Sequence, residues 1–451
     1  MTTPKIFYYL IAFAIILQSC SVNSLETTQV LTGNDGFAIP IETALSTLEK
    51  FMQDDGIIST KGCVNDCIDN YFVFHGTTTK GTSTNGDVMY VVNFKDNGGY
   101  ALLAADTRIP DEILAITDSG NVAECDYCGP ETVMQATDND DLTIEEYNSM
   151  VASGVLAAAR DKQIAEFCHE YAMNSIDNSD RNIMNGDMGT TQHEDYDWII
   201  VERVPRMLET IWTQDNEPYN DIFNKYCPEV GLVFKHKAPA GCVCIALSQI
   251  IAYHEYPDRI YDGLPIDYDA IKMIYSYFYG KGPINDNNND SVKDMLAKFC
   301  ITIGGMCKTK YHSIFGKDWG FAWPIDAAEC LSTLGYENVV LNDCYDENLV
   351  IESLKNDCPV FIAAVAGLWS GHAWVIDGYI KRNYSSSKGT ILQSQTLVHC
   401  NWGWAGKSNG YFASGMFNAD EAIISDGISS ETAHDHYWYG FRTISYDNPN
   451  E

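Results

Sequence analysis

Cationic residues are scarce in this chain: 28 Lys and Arg stand against 62 Asp and Glu, for a formal charge of −34. So acidic a chain lacks the basic footprint that nucleic-acid binding requires, and it gains nothing from electrostatic adhesion to anionic lipid. The excess of acid otherwise speaks to solubility, not to function. Long apolar runs are missing beyond the N-terminus, so no later stretch is expected to span a bilayer. No internal repeat is found either, so the chain is not an array of one unit. What it does have is length and apolar content. Its 451 residues allow two or three domains, and 45% hydrophobic and 12% aromatic residues supply sizeable cores.

The first residues, MTTPKIFYYLIAFAIILQSCSVNS, carry Lys5 and then an apolar run from Ile6 to Leu17. That run is short for a spanning helix and suits the core of an export signal. It ends in Leu17-Gln18-Ser19-Cys20, which resembles a bacterial lipobox, where cleavage before the cysteine leaves that cysteine lipidated. Residues 1–19 are therefore expected to be a signal peptide and residues 20–36 a tether. Cys20 would be the lipidation site, holding the protein to the bacterial cell envelope, periplasmic or at the surface. An ordinary signal peptide with a stray cysteine is the alternative.

Fifteen cysteines are many. An exported chain can form disulfides, but with Cys20 lipidated and one thiol at work an odd number remains, so at least one more must be free. The pairs Cys63/Cys67 and Cys125/Cys128 suggest a zinc site only weakly, and local disulfides or buried thiols fit them better. No metal or other cofactor is expected.

Residues 38–55 place Ile41, Ala44, Leu45, Leu48 and Met52 on one helical face. VMYVVNF (88–94) and GYALLAAD (99–106) flank KDNGG and predict a β-hairpin. EILAIT (112–117) predicts a further strand, and a helical pattern runs from Tyr147 to Met173. Together these suffice for a separate α+β core over 37–173. Residues 174–197 then turn polar and glycine-punctuated, as a cleavable linker would be. A second core follows over 198–446.

Chemistry concentrates in three stretches of that second core. In PAGCVCIALSQIIAYHEYP (239–257), Val243, Ala246, Leu247, Ile250 and Ile251 recur at helical spacing, Gly241 marks the entry and Pro257 the end. Cys242 falls at the first helical position, where free N–H groups and the helix dipole favour a thiolate. Cys244 lies deeper and round the other side, and is expected to pack. In GLWSGHAWVIDGYI (367–380), His372 heads a strand, and QTLVHCNWGWAG (395–406) is a second strand ending at Asn401. Pairing these strands symmetrically about KRNYSSSKG puts His372 opposite Asn401, whose amide would accept the imidazole N–H. Trp402 and Trp404 would shield that bond. His254 is too far along the helix to serve, and His399 is the second choice of base. Asp377 as orienter falls on the opposite strand face from His372. Gln214, in ETIWTQDNEPYND, reads by spacing as no more than a glutamine near a turn.

Together, WTQDNEPYN, GCVCIALSQIIAYHEYP, GHAWVIDGY and HCNWGWAGKSNGYF resemble the streptopain family of papain-like cysteine peptidases, in that family's order and over most of residues 205–417. The resemblance implies an α+β protein: a papain-like domain with a helical part and an antiparallel sheet, preceded by an α+β inhibitory prodomain similar over residues 90–120. It implies that Cys242 is the nucleophile, His372 the general base and acid, Asn401 the orienter and Gln214 the oxyanion-hole donor. Trp402 would cover the histidine–asparagine contact, with Gly241 supporting Cys242.

The implied partners are protein or peptide substrates and the chain's own prodomain, with maturation by a cut in the linker, after Met184 at its one apolar pair. Cys244, Ile245 and Ala405 depart from the family pattern, and Ala405 is expected to narrow its loop. Two other readings remain at this stage. A thiol acyltransferase would yield a new amide in place of hydrolysed peptide, and a binding module on an inactive scaffold would have lost its thiol chemistry.

Overall fold

The computed structural model describes residues 37–54, 64–75, 86–123, 161–162, 164–169, 171–176, 196–214, 222–231, 235–260, 265–276, 290–314, 317–366, 370–417 and 439–450. The expected signal peptide, the tether, Cys20, Cys63, Cys125, Cys128 and Met184 lie outside them, as does linker sequence 177–195.

The N-terminal part opens with helix α1 (Ile41–Asp54), which buries Ala44, Leu48, Phe51 and Met52. The face is the one the periodicity predicted, with Phe51 added and Ile41 and Leu45 half-buried. Strands β1 (Ile68–His75), β2 (Asp87–Phe94), β3 (Tyr100–Ala104) and β4 (Ile113–Thr117) form an antiparallel meander. The β2–β3 turn is the expected KDNGG. Asp96, Asn97 and Gly99 all take positive φ there, a conformation that Asn, Asp and Gly tolerate best. Residues 164–169 and 171–176 are helical, so the segment expected to be linker starts inside a helix.

Strand β5 (Tyr196–Val204) leads into the second part, where two short hairpins follow: β6 (Glu229–Val230) with β7 (His236–Lys237), and β8 (Lys310–Ile314) with β9 (Lys317–Phe321). Helices α2 (Cys242–His254), α3 (Asp290–Met306), α4 (Pro324–Thr333) and α5 (Glu347–Lys355) accompany strands β10 (Val340–Asn342), β11 (Val360–Ala366), β12 (Ser370–Ser386), β13 (Ile391–Asn401), β14 (Gly410–Ala413) and β15 (Tyr439–Ser445). One 11-stranded antiparallel sheet unites both parts in the order β1-β2-β3-β4-β14-β13-β12-β11-β15-β10, with β5 also on β12. The architecture is α+β, as expected.

Alternation along the central strands divides two cores, because successive side chains face opposite sides of a sheet. Ile362, Ala364, Trp374 and Ile376 join a core shared with α1 and β2–β4. Phe361, Ala363, Ala373 and Val375 join the core built on α2 and α3.

Helix α2 differs from its one-faced prediction. Cys244, Ile245, Ser248 and Gln249 are buried along with the predicted stripe. A helix apolar all round belongs in an interior, and this one packs against strands, helices and the β9 hairpin at once. Glu255, in the left-handed conformation, ends it.

The N-terminal part docks through its own backbone. β4 pairs with β14, Tyr411 opposite Ile116, and a Cβ on Gly410 would stand only 2.1 Å from the Ile116 carbonyl oxygen. The Asp118 N–H donates to the Asn409 carbonyl at 2.7 Å, and Ser408 Oγ to Asp161 Oδ1 at 2.7 Å. Gln395 Nε2 donates to the Ile113 carbonyl at 2.8 Å.

Candidate active site

Three segments meet at the N-terminal end of α2. Gly241 precedes the helix at φ 95°, and a Cβ there would lie 2.8 Å from the Gly320 carbonyl oxygen. Only glycine fits such a conformation at such a distance. Cys242 follows, half-buried at the first helical position. Burial pushes its thiol pKa up, while backbone N–H groups of Ala373, Val243 and Cys242 itself pull the other way. Helix α2 packs against β12, the strand that carries His372. Cys244 packs as expected, its thiol donating to the Cys300 carbonyl at 3.0 Å.

His372 is buried on β12, and its Nε2 lies 2.9 Å from the Trp402 carbonyl oxygen. A carbonyl only accepts, so Nε2 carries the proton and Nδ1 is the basic nitrogen of the neutral ring. The ring stacks on Trp404, centroids 4.8 Å apart, and lies nearly parallel to Trp402 and Trp374 at 6.2 Å and 5.9 Å. Indoles thus flank the imidazole.

The expected pairing of His372 with Asn401 is corrected. Val375, not His372, lies opposite Asn401. The hairpin connection is tighter than the sequence suggested. The strands continue through Ser386 and resume at Ile391, closed by Gly389 N–H to the Ser386 carbonyl and Ser386 N–H to the Thr390 carbonyl. An irregularity between Ile376 and Gly378 then takes back one residue of that shift, leaving Asn401 opposite Val375. The Asn401 amide accordingly turns elsewhere: it donates to the Thr210 carbonyl at 2.8 Å and to Gln249 Oε1 at 3.3 Å, and accepts from Gly403 N–H at 3.2 Å. The acceptor facing His372 is the backbone of the next residue, Trp402.

Gln214 is half-buried, and its N–H donates to the Gly403 carbonyl at 3.0 Å. Thr213 bridges Trp404, and the Ala405 N–H reaches the Trp212 carbonyl at 3.3 Å. Gly403 in turn lies against Ile245 of α2. The glutamine segment, the tryptophan loop and the first turn of α2 are therefore laced together. Ala405 adopts a left-handed φ of 56°, a conformation a glycine takes more easily.

The competing histidines are occupied elsewhere. His254 packs edge-on against Tyr336 and Tyr446, and burial lowers its pKa to about 4. His399 holds Asp377 Oδ1 at 2.6 Å, an ion pair that sequence reasoning did not find. Burial pulls the His399 pKa down, but the charges of Asp377 and Asp118 overcome it and raise it to about 9. Reasoning from the sequence also missed Gln249, buried within α2. A glutamine inside an otherwise apolar helix was the available signal.

The eleven described cysteines are all free thiols, and among the described residues no cluster of His, Cys, Asp and Glu is arranged to hold a metal.

The signature of the Peptidase C10 family matches residues 212–412. Streptopain from Streptococcus pyogenes serotype M28 is 25% identical over 361 residues, spanning 74% of this chain and 75% of its own length. Streptopain from serotype M1 matches over the same shares. Among solved structures, a prointerpain A fragment from Prevotella intermedia is similar with TM-score 0.47 and 18% identity, covering 83% of this chain and 98% of its own. Active interpain A from the same organism has TM-score 0.36 and 20% identity, covering 54% and 95%. The match over residues 212–412 and the similarity to streptopain identify the chain as a cysteine endopeptidase.

Proposed function

We propose that Cys242 is the nucleophile, His372 the general base and acid, and Gln214 the oxyanion donor alongside the Cys242 N–H. In this reading Nδ1 of His372 takes the thiol proton, and the thiolate attacks the carbonyl carbon of a substrate peptide bond. The oxyanion is held by the backbone N–H at the helix start and by the Gln214 amide. His372 then gives its proton to the leaving amine, and water attacks the thioester to release the acid and the free thiol. Asn401 acts on His372 through the Trp402 carbonyl rather than by direct contact, with Trp402 and Trp404 keeping water from that bond. The observation that carries the reading is Cys242 at the first position of a buried helix that packs against β12, the strand bearing His372. Replacing Cys242 with Ala is expected to abolish peptide hydrolysis, and full turnover by that variant would remove the assignment.

We further propose that residues 37–173 are the inhibitory prodomain and 174–197 the linker cut on maturation, after Met184. Support comes from the backbone docking of β4 on β14 and from the composition of the linker. N-terminal sequencing of the mature form is expected to begin at Asn185, and a start outside 174–200 contradicts it. The short apolar run and Leu17–Cys20 support export with a lipid on Cys20, anchoring the zymogen to the cell envelope. Labelled fatty acid is expected to enter the wild-type protein and not Cys20→Ala.

A further inference from the structure

We propose that Gln249 is a positioning residue of the catalytic apparatus, setting the carbonyl that orients His372 and the segment that carries Gln214. The inference rests on the catalytic reading of Cys242 and His372. Gln249 is fully buried on α2, about two turns beyond Cys242 and so on nearly the same face of the helix. Its Oε1 accepts from Thr210 Oγ1 at 3.0 Å, from the Trp212 N–H at 3.2 Å and from Asn401 Nδ2 at 3.3 Å. Its Nε2 returns a bond to Asn401 Oδ1 at 3.4 Å. The two amides thus face each other head to tail, a pairing only complementary amides make.

Asn401 passes this constraint on. Its Oδ1 takes the Gly403 N–H, while Asn409 Oδ1 takes the Trp402 N–H at 3.0 Å. The peptide group between those two N–H groups presents the Trp402 carbonyl to His372 Nε2. On the other side, the Trp212 N–H bond to Gln249 fixes the chain two residues before Gln214, whose own N–H is tied to the Gly403 carbonyl. One side chain on the nucleophile helix therefore references both the base and the oxyanion segment to the position of Cys242. In a buried site such a network is rigid only while every member is satisfied.

The carbonyl facing Nε2 favours the imidazolium over the neutral ring. Misplacing it lowers the pH at which the thiolate–imidazolium pair loses its proton, and degrades the geometry of attack. The expected consequence of Gln249→Met, which keeps length and removes all four bonds, is a fall in kcat on the order of 10²-fold. KM should change little, and the alkaline limb of the kcat/KM profile should move to lower pH. Gln249→Glu keeps the accepting oxygen for Thr210, Trp212 and Asn401, and is expected to recover much of the lost kcat.

The test uses full-length wild-type, Gln249→Met, Gln249→Glu and Cys242→Ala chains, all converted with the same added protease. Rates of the chains that keep Cys242 are expressed per thiol labelled by a peptidyl inhibitor, so that misfolded protein does not count, and that of Cys242→Ala per mole of protein. Wild-type kcat and an unmoved alkaline limb in Gln249→Met, with Cys242→Ala inactive, overturn the proposal and leave the nucleophile assignment standing. Activity in Cys242→Ala overturns the catalytic reading itself. If Gln249→Met does not fold, Thr210→Val carries the test, since it strips one donor from Gln249 Oε1 and keeps the Thr210 carbonyl that Asn401 uses. A lower kcat at unchanged KM with a shifted limb then supports the positioning role, and an unchanged kcat and limb overturn it.

Discussion

Each residue of the proposed site owes its position to a local constraint that can be tested alone. Gly241 combines φ 95° with a neighbouring carbonyl inside any Cβ contact distance. Gly241→Ala is therefore expected to cost about 1–3 kcal/mol through backbone strain, read as a lower thermal midpoint, and to displace the Cys242 N–H from the oxyanion. An unchanged midpoint with full activity would contradict that account. Gln214→Ala should lower kcat about 10²- to 10³-fold, the usual loss for one oxyanion donor, and a loss under threefold would take Gln214 out of that role. At this scale the sequence was readable for the position of Cys242, directly after a glycine at a helix start. It was not readable for Asn401, because an amide's partners depend on strand register. That register turned on a tight turn at Ser386–Thr390 and a bulge near Gly378, neither of which shows in the alternation of apolar residues.

Among the elements, α1, the β2–β3 hairpin and the existence of α2 follow from periodicity and turn residues alone. The pairing of β4 with β14 does not, since non-local strand partners leave no mark in local pattern. The joint depends on Gly410, where an added methyl would meet the Ile116 carbonyl. Gly410→Ala is expected to loosen the N-terminal part, so that the full-length chain reacts with a thiol-directed peptidyl inhibitor faster than wild type. Equal reactivity of the two uncleaved chains would show that β4–β14 pairing does not govern access. Helix α2 makes the complementary point: its stripe was predicted, yet burial on every side came from neighbours no window of sequence contains.

Across the whole molecule, a single sheet runs through both parts, and charge is buried at their junction. His399 sits between Asp377 of its own part and Asp118 of the N-terminal part, with Nε2 3.8 Å from Asp118 Oδ2, which Arg206 Nη1 also holds at 3.2 Å. Burial opposes protonation of this histidine, but the two carboxylates win and raise its pKa to about 9, above roughly 6.5 in an unfolded chain. A group with a raised folded pKa contributes stability in full below its unfolded value and loses it as pH rises through the folded one. The full-length chain's thermal midpoint is therefore expected to fall between pH 7 and 10. Asp118→Asn should flatten that fall, and an equally steep fall in both proteins would remove His399 as its source.

Mass spectrometry of the intact chain and of its converted form, each treated with a thiol-reactive peptidyl inhibitor, tests the central claim most directly. The account predicts one inhibitor mass on the converted fragment, located at Cys242, although that fragment carries nine free thiols. It predicts slow or no labelling of the uncleaved chain, where burial raises the Cys242 thiol pKa, and none on converted Cys242→Ala. A converted fragment left unlabelled, or a Cys242→Ala fragment labelled as readily as wild type, would contradict it.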